Sequence, residues 1–327
     1  THEVSAVSAA CMMVRRTLFE TLGGFDAENF DYDLADVDLC FRVRQAGYLV
    51  LWTPEATVSH MGGATRLSAA LSTPDPQAAE RCRAALRTRW KTGLCQDIRY
   101  QRHLSRSGSL FSLSRVTDRL QSPLPGRPLP VIVAGHINET GCGHYRVIQP
   151  YRLLEQQLRA EGGLIHGLPA AIDAAGVSPD IVLLQMPFDP QIEQRITHLK
   201  QYCSPKIIME YDDYFINLPL KNHHRGKLPK NIVSQLRRTV SLADRLVVST
   251  PALAEAYAGF HPDIRVALNR LDPELWGGLP ATRRRGKKPR VGWAGGNSHT
   301  GDLQILQPLF CELADEVDWV FMGMKPQ

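Results

Sequence analysis

The hydrophobic rhythm of the chain changes near residue 130. Beyond that point short, unbroken apolar runs recur: "VIVA" (131–134), "DIVLLQM" (180–186), "KIIMEY" (206–211), "RLVVST" (245–250) and "IRVALN" (264–269). Runs of this length without polar alternation read as strands buried on both faces. The stretches between them, about 145–160, 190–202, 229–243 and "PALAEAYAG", read as helices, the last with proline in its first turn. Strands alternating with helices predict an α/β domain built on a parallel sheet. After 290, "VGWAGG" and "VDWVFMG" begin two more units of the same kind.

The first 105 residues are less regular. "AVSAACMMV" (6–14) reads as a strand and "RTLFETLG" as a short helix closed by Gly23. "VDLCFRVRQAG" reads as a helix stopped by Gly47. "YLVLW" and "ATVSH" (56–60) read as strands, and "PQAAERCRAALRTRW" as a helix with arginines on its outer face. Residues 106–130, rich in proline and serine, read as a linker. The predicted organisation is therefore 1–105, a linker 106–130, 131–280, and the opening of a further domain at 281–327.

Composition narrows the class. A hydrophobic share of 43% and a charged share of 22% describe an ordinary globular protein. The net charge of +5 says little about partners. Seven cysteines, at 11, 40, 82, 95, 142, 203 and 311, form no CxxC, which fits free thiols in a reducing compartment. The longest apolar run, Val4–Val14, is too short to span a bilayer and lacks the basic flank of a signal peptide. The chain does not begin with Met and stops just past a strand, so it reads as a piece of a longer polypeptide.

Candidate chemistry centres on "DLADVDLCFRVRQAGY" (33–48). Asp36 and Asp38 stand at the start of the predicted helix. Either can cap it or meet its dipole, and Asp38 can pair with Arg42 one turn on in an exposed ion pair. Two residues apart on a helix, the acids cannot share a face. In the second half, Gly141 and Gly143 precede a helix in "GHINETGCGHYR", a loop without the dinucleotide fingerprint GxGxxG. Asp212 and Asp213 follow a strand, where ligands of open parallel sheets bind. The basic run Arg283–Arg290 has no interleaved aromatics, which argues against nucleic acid.

The order "GGFD", "DVDLCFR", "AGY" and a downstream His resembles the C-terminal half of family-2 glycosyltransferase domains of the GT-A fold. The matching residues are Gly23, Gly24, Phe25, Asp26, Asp36, Val37, Asp38, Leu39, Cys40, Arg42, Gly47, Tyr48 and His60. The resemblance implies an inverting sugar transfer with Asp36 as general base, and Asp38 held beside Arg42. It implies His60 as one ligand of a divalent metal, Mn²⁺ or Mg²⁺. Gly24, Asp26, Asp38 and Trp52 are then candidates for the donor or substrate site. The family's base is often preceded by an acid or Asn, whereas here Ala35 precedes it. The family's DxD motif is expected upstream of Thr1. Arg-rich 80–91 with Trp90 reads either as a solvated face or as a surface for lipid-linked acceptors.

Residues 131–327 resemble GT-B glycosyltransferases of the family-4 type, through "GCGHYR", "EYDDY", "ADRLVVST", "LNRLDPELW" and "VGWAGGNSHTGDL". This implies a Rossmann-like N-terminal domain and the start of a second. Gly141, Gly143, Tyr145, Arg146, Asp212, Asp213 and Asn269 are then substrate-site candidates, with Gly295, Gly296, Ser298 and His299 near the donor phosphates. Together the two resemblances imply a tandem enzyme using nucleotide-sugar donors and a glycan or lipid-linked glycan acceptor. They imply polysaccharide or glycoconjugate assembly in the cytoplasm, with peripheral association at the inner membrane face. The alternative is a degenerate, non-catalytic glycosyltransferase-like scaffold or glycan-binding protein.

Overall fold

A computed structural model describes residues 1–60, 75–95, 97–101, 103–104, 111–113, 119–218, 226, 231–280, 288–296 and 299–323. Two compact units divide the chain. One comprises Thr1–Gly135, Gln157–Val182 and Gln194–Pro205, the other His136–Gln156, Leu183–Glu193 and Lys206–Gln327.

In the first unit, β1 (His2–Glu3) pairs antiparallel with β2 (Leu51–Trp52). Between them lie α1 (Arg16–Thr21) and α2 (Ala35–Gln45). Gly23 and Gly47 follow these helices with φ of 80° and 84°, a left-handed conformation that ends a helix without a Cβ clash. Leu39, Cys40, Val43 and Val50 form a buried cluster, against which Leu18, Phe19 and Leu22 of α1 and its exit pack. Full burial of one such aliphatic side chain stabilises by about 1.5–3 kcal/mol. A third helix, α3 (Pro76–Cys95), contributes Cys82 and Leu86 to a second cluster with Phe30.

Two short strands expected here do not form. Residues 6–14 carry a single 3-10 turn at Ala9–Cys11 and pair with no strand among the described residues, and Met13 is 99% exposed. Residues 56–60 form no strand and are exposed. "YLVLW" is a strand only at its last two residues.

The α/β part was legible in its main lines. A short β3 (Arg119–Leu120) pairs antiparallel with β5 (Glu161–His166), and falls inside the stretch read as linker. The other strands are β4 (Val131–His136), β6 (Ile181–Gln185), β7 (Lys206–Tyr211), β8 (Arg245–Val248) and β9 (Ile264–Val266). The sheet order is β3-β5-β4-β6-β7-β8-β9, and the six strands after β3 form a parallel sheet in a Rossmann-like α/β arrangement. Its register sets Tyr211 opposite Val248 and Val248 opposite Val266. Val131, Val133, Val182, Ile207, Met209, Leu246 and Val248 are wholly buried, as strands covered on both faces require.

Crossover segments include α4 (Gln149–Gln156), α5 (Ala171–Val177), α6 (Ile192–Tyr202), α7 (Ile232–Val240) and α8 (Pro251–Ala256). Thr250 caps α8 by accepting from the Leu253 N–H, with Pro251 next to it. A one-turn α9 (Pro273–Trp276) is capped by Asp272. Finally β10 (Arg290–Ala294) and β11 (Asp318–Met322) pair in parallel around α10 (Thr300–Glu312).

Candidate functional site

The two acids of α2 occupy different environments. The residue that caps the helix is Leu34, left-handed at φ 70°, and neither acid takes that role. Asp36, half-buried in the first turn, accepts from the Ala9 N–H through Oδ2 at 2.8 Å. Its Oδ1 accepts from the Val37 N–H at 2.8 Å. These two bonds fix both oxygens while leaving further lone pairs free to accept a proton.

Asp38 is fully buried and meets three side-chain donors. Oδ2 accepts from Arg42 Nε at 2.7 Å, and Oδ1 accepts from Arg89 Nη1 at 2.9 Å and Trp90 Nε1 at 2.7 Å. The expected exposed ion pair is therefore a sheltered one, with 17% exposure of the Arg42 side chain and none of Asp38. Arg42 also donates to the carbonyls of Leu22 and Gly24. Arg89 also reaches Asp26 at 2.8 Å. Successive residues of a straight helix point about 100° apart. Arg89 and Trp90 converge on one oxygen because α3 kinks at Trp90, where φ is −121° and ψ 23°.

The turn "GGFD", the helix "VDLCFR" and the "RW" of α3 are thus three parts of one bonded network. Asp26 is held down to about pKa 2, first by the Asn29 N–H and then by Arg89 and the Asn29 side chain. Arg89 keeps 35% of its side chain exposed and Trp90 is half-buried, so this end of the arginine-rich helix is a solvated face only in part. Their bond to Asp38 is not encoded in the arginine-rich pattern of 80–91. The signal was the dipeptide itself, a cation and an indole donor placed after a motif that buries an acid.

Trp52 is half exposed in β2, its ring 5.1 Å from that of His2. His60 is exposed. Among the described residues no three His, Cys, Asp or Glu side chains converge as metal ligands, so these residues do not by themselves make up the expected Mn²⁺ or Mg²⁺ site.

The second group of candidates gathers at the carboxyl ends of β4 and β7. Gly141–Gly143 form a single turn that runs directly into a π-helical segment, His144–Ile148. Gly143 is obligatory through close approach: a Cβ there would sit 1.9 Å from the Asn138 carbonyl oxygen. The π segment turns Arg146 inward, where its Nε donates to Glu210 Oε1 at 2.7 Å. Nη1 donates to the Ala267 carbonyl and, at 2.8 Å, to Asn269 Oδ1. π segments often mark functional positions.

Glu210 is 2% exposed, and burial pushes it up to about 7 against the opposing pull of Arg146. Asp212 is raised by burial and then by Asp213. Tyr145, partly exposed, is raised by burial and by Asp212. The structure thus sets Arg146, Asp212 and Asp213 about Glu210, a residue outside the candidate motifs, with Asn269 bound to Arg146, and Tyr145 in the field of Asp212. The signal of Glu210 was a lone acid in the otherwise apolar run "KIIMEY". A strand buried on both faces cannot hold a carboxylate without a partner.

Gly295 follows β10, its N–H donating to the Met322 carbonyl, and Gly296 accepts from His299, which pairs with Asp302 at 2.7 Å. Ser298 lies outside the described residues, as does most of the basic run after residue 280. No helix among the described residues is long and apolar enough to cross a membrane.

Comparison with known proteins adds partial similarities. No family model matches the chain. Over 111 residues, 34% of the chain, it is 36% identical to an uncharacterized protein, y4gI, of Sinorhizobium fredii, and the match covers 12% of that protein. Over 57 residues, 17% of the chain, it is 44% identical to the N-acetylglucosaminyl-diphospho-decaprenol L-rhamnosyltransferase of Mycobacterium tuberculosis, of which 18% is covered. Over 70 residues, 21% of the chain, it is 37% identical to the O-antigen biosynthesis protein RfbC of Myxococcus xanthus, of which 5% is covered. The chain spans less than a fifth of the length of these curated relatives. The similarities support a glycosyltransferase family.

Proposed function

We propose that the chain carries parts of two glycosyltransferase modules, a GT-A module over 1–105 and a GT-B module beginning at 131, joined through 106–130. Sugar passes from nucleotide-sugar donors to a polysaccharide or glycoconjugate acceptor, glycan or lipid-linked. In the first module the Asp36 carboxylate takes the proton of an acceptor hydroxyl. That oxygen attacks the anomeric carbon, and the nucleoside diphosphate leaves with the electrons of the broken C–O bond, inverting the centre. A base of this kind contributes about 10²–10⁴-fold to rate.

The observation that supports this most is the division of labour on α2. Asp38 is consumed by Arg42, Arg89 and Trp90, whereas among the described residues Asp36 meets only backbone N–H groups and keeps acceptor capacity. His60, with carboxylates outside the described residues, would hold Mn²⁺ or Mg²⁺, which neutralises the diphosphate. The second module would use the loop Gly141–Arg146, Asp212, Asp213 and Asn269, with Gly295, Gly296, Ser298 and His299 toward donor phosphates. Work in the cytoplasm, at the inner membrane face, follows from a lipid-linked acceptor.

The test is calorimetric titration of purified protein carrying this chain with UDP-, GDP- and dTDP-sugars and with NAD, each with and without Mn²⁺. Binding of a nucleotide-sugar in preference to NAD is expected. NAD binding, or no binding of any nucleotide-sugar, refutes the enzyme reading, and the latter outcome favours the non-catalytic scaffold.

A further inference from the structure

Arg146 ties together parts of the chain 64 and 123 residues away, and does so with its side chain only 4% exposed. Its Nε meets Glu210 at the end of β7, and its Nη1 meets the Ala267 carbonyl and Asn269 Oδ1 in the segment that leaves β9. We propose that Arg146 and Glu210 form a proton-sensitive latch on that segment. The ionised carboxylate holds the guanidinium in the pose that grips Ala267 and Asn269, and protonation of Glu210 loosens the grip.

The neighbours of Glu210 make such a switch workable. On one side, Met186 donates its N–H to the Glu210 carbonyl, next to buried Gln185 at the end of β6. On the other, β8 presents Val247 opposite Glu210. The π segment supplies Arg146, and the chain beyond β7 supplies Asp212 and Asp213, whose negative charges both push Glu210 upward. Tyr211 beside it is itself raised, first by burial, and is neutral across the working range. His136 ends β4, buried, one strand beyond β6. Buried Glu210 thus shares the field of one cation with half-buried Asp212 and exposed Asp213. A proton is the smallest species that relieves this excess of negative charge. Burial and the two aspartates bring the Glu210 titration to about 7, where modest pH changes act on it.

The released segment has a built-in reporter, because the Ala267 N–H donates to the Val248 carbonyl at 2.9 Å. Hydrogen exchange of peptides covering 264–272, corrected for the intrinsic pH dependence of exchange, is measured from pH 5.5 to 8.5. Loss of a charge-assisted bond predicts protection lower by a factor on the order of ten on the acid side of the transition. Glu210→Gln is expected to lack the step and to show the acid-side protection throughout. Asp212→Asn is expected to keep the step at a lower pH, since one of the charges that raise Glu210 is gone. Equal wild-type protection on both sides of pH 7, or an unchanged step in Glu210→Gln, overturns the latch. If Glu210→Gln does not fold, the Asp212→Asn midpoint decides, and an unmoved midpoint overturns it.

Discussion

Replacing Asp38 by Ala tests whether the network around α2 fastens the first unit. The change leaves the Arg42 and Arg89 guanidinium groups and the Trp90 indole N–H without their common acceptor. Removing one partner of a buried ion pair costs about 3–5 kcal/mol. Water relieves part of that here, since the Arg42 and Arg89 side chains are 17% and 35% exposed. The expectation is therefore the lower end, about 3 kcal/mol. Asp38→Asn keeps one acceptor oxygen and is expected to lose about half as much, on the scale of a hydrogen bond to a charged group. Because Asp38 and Arg42 share one bond, the double variant Asp38→Ala/Arg42→Ala should lose less than the two single losses combined. Urea unfolding followed by tryptophan fluorescence gives these values. An Asp38→Ala variant within about 0.5 kcal/mol of wild type, the range of an ordinary surface change, refutes the fastening role.

Three further outcomes follow from the geometry. Glu210 is raised in the folded chain from 4.5 to about 7, so the folded state keeps a proton that the unfolded state has released. Its contribution is full below 4.5 and falls by about 3 kcal/mol as pH rises through 7. The difference between wild-type and Glu210→Gln urea midpoints, followed against pH, should trace that fall, and a flat difference contradicts it. Gly143→Ala forces a Cβ to 1.9 Å from the Asn138 carbonyl, so the loop must move, at about 1–3 kcal/mol or more; an unchanged melting temperature would contradict this packing. Thr250→Ala removes the bond to the Leu253 N–H and should lower stability by about 1 kcal/mol in the same urea assay.

What the sequence revealed and hid has a physical pattern. Continuous apolar runs such as "KIIMEY" announced β7 over its whole length, because a strand covered on both faces has no polar positions to dilute the signal. β5, "EGGLIH", escaped because two glycines break its apolar run, although Gly162 is there for close approach: a Cβ would lie 2.2 Å from the Ile132 carbonyl. Residues 6–14 looked like a strand and are not, since local propensity cannot supply a pairing partner. At the candidate sites the motifs located Asp36, Asp38, Arg146 and Asp212. The partners Arg89 and Trp90 stand 51 and 52 residues from Asp38, and Glu210 stands 64 from Arg146. No helical or strand periodicity encodes such distances. Only the rule that buried charge needs a counter-charge points to them.

Asp36 is proposed above as the base of a sugar transfer. The most direct measurement is turnover of nucleotide-sugar by purified protein carrying this chain, wild type against Asp36→Asn, with thermal unfolding recorded on both. The Asn side chain keeps an acceptor for the Ala9 N–H, so the fold should stand while transfer falls by about 10²–10⁴-fold. Wild-type turnover in a folded Asp36→Asn protein would contradict it.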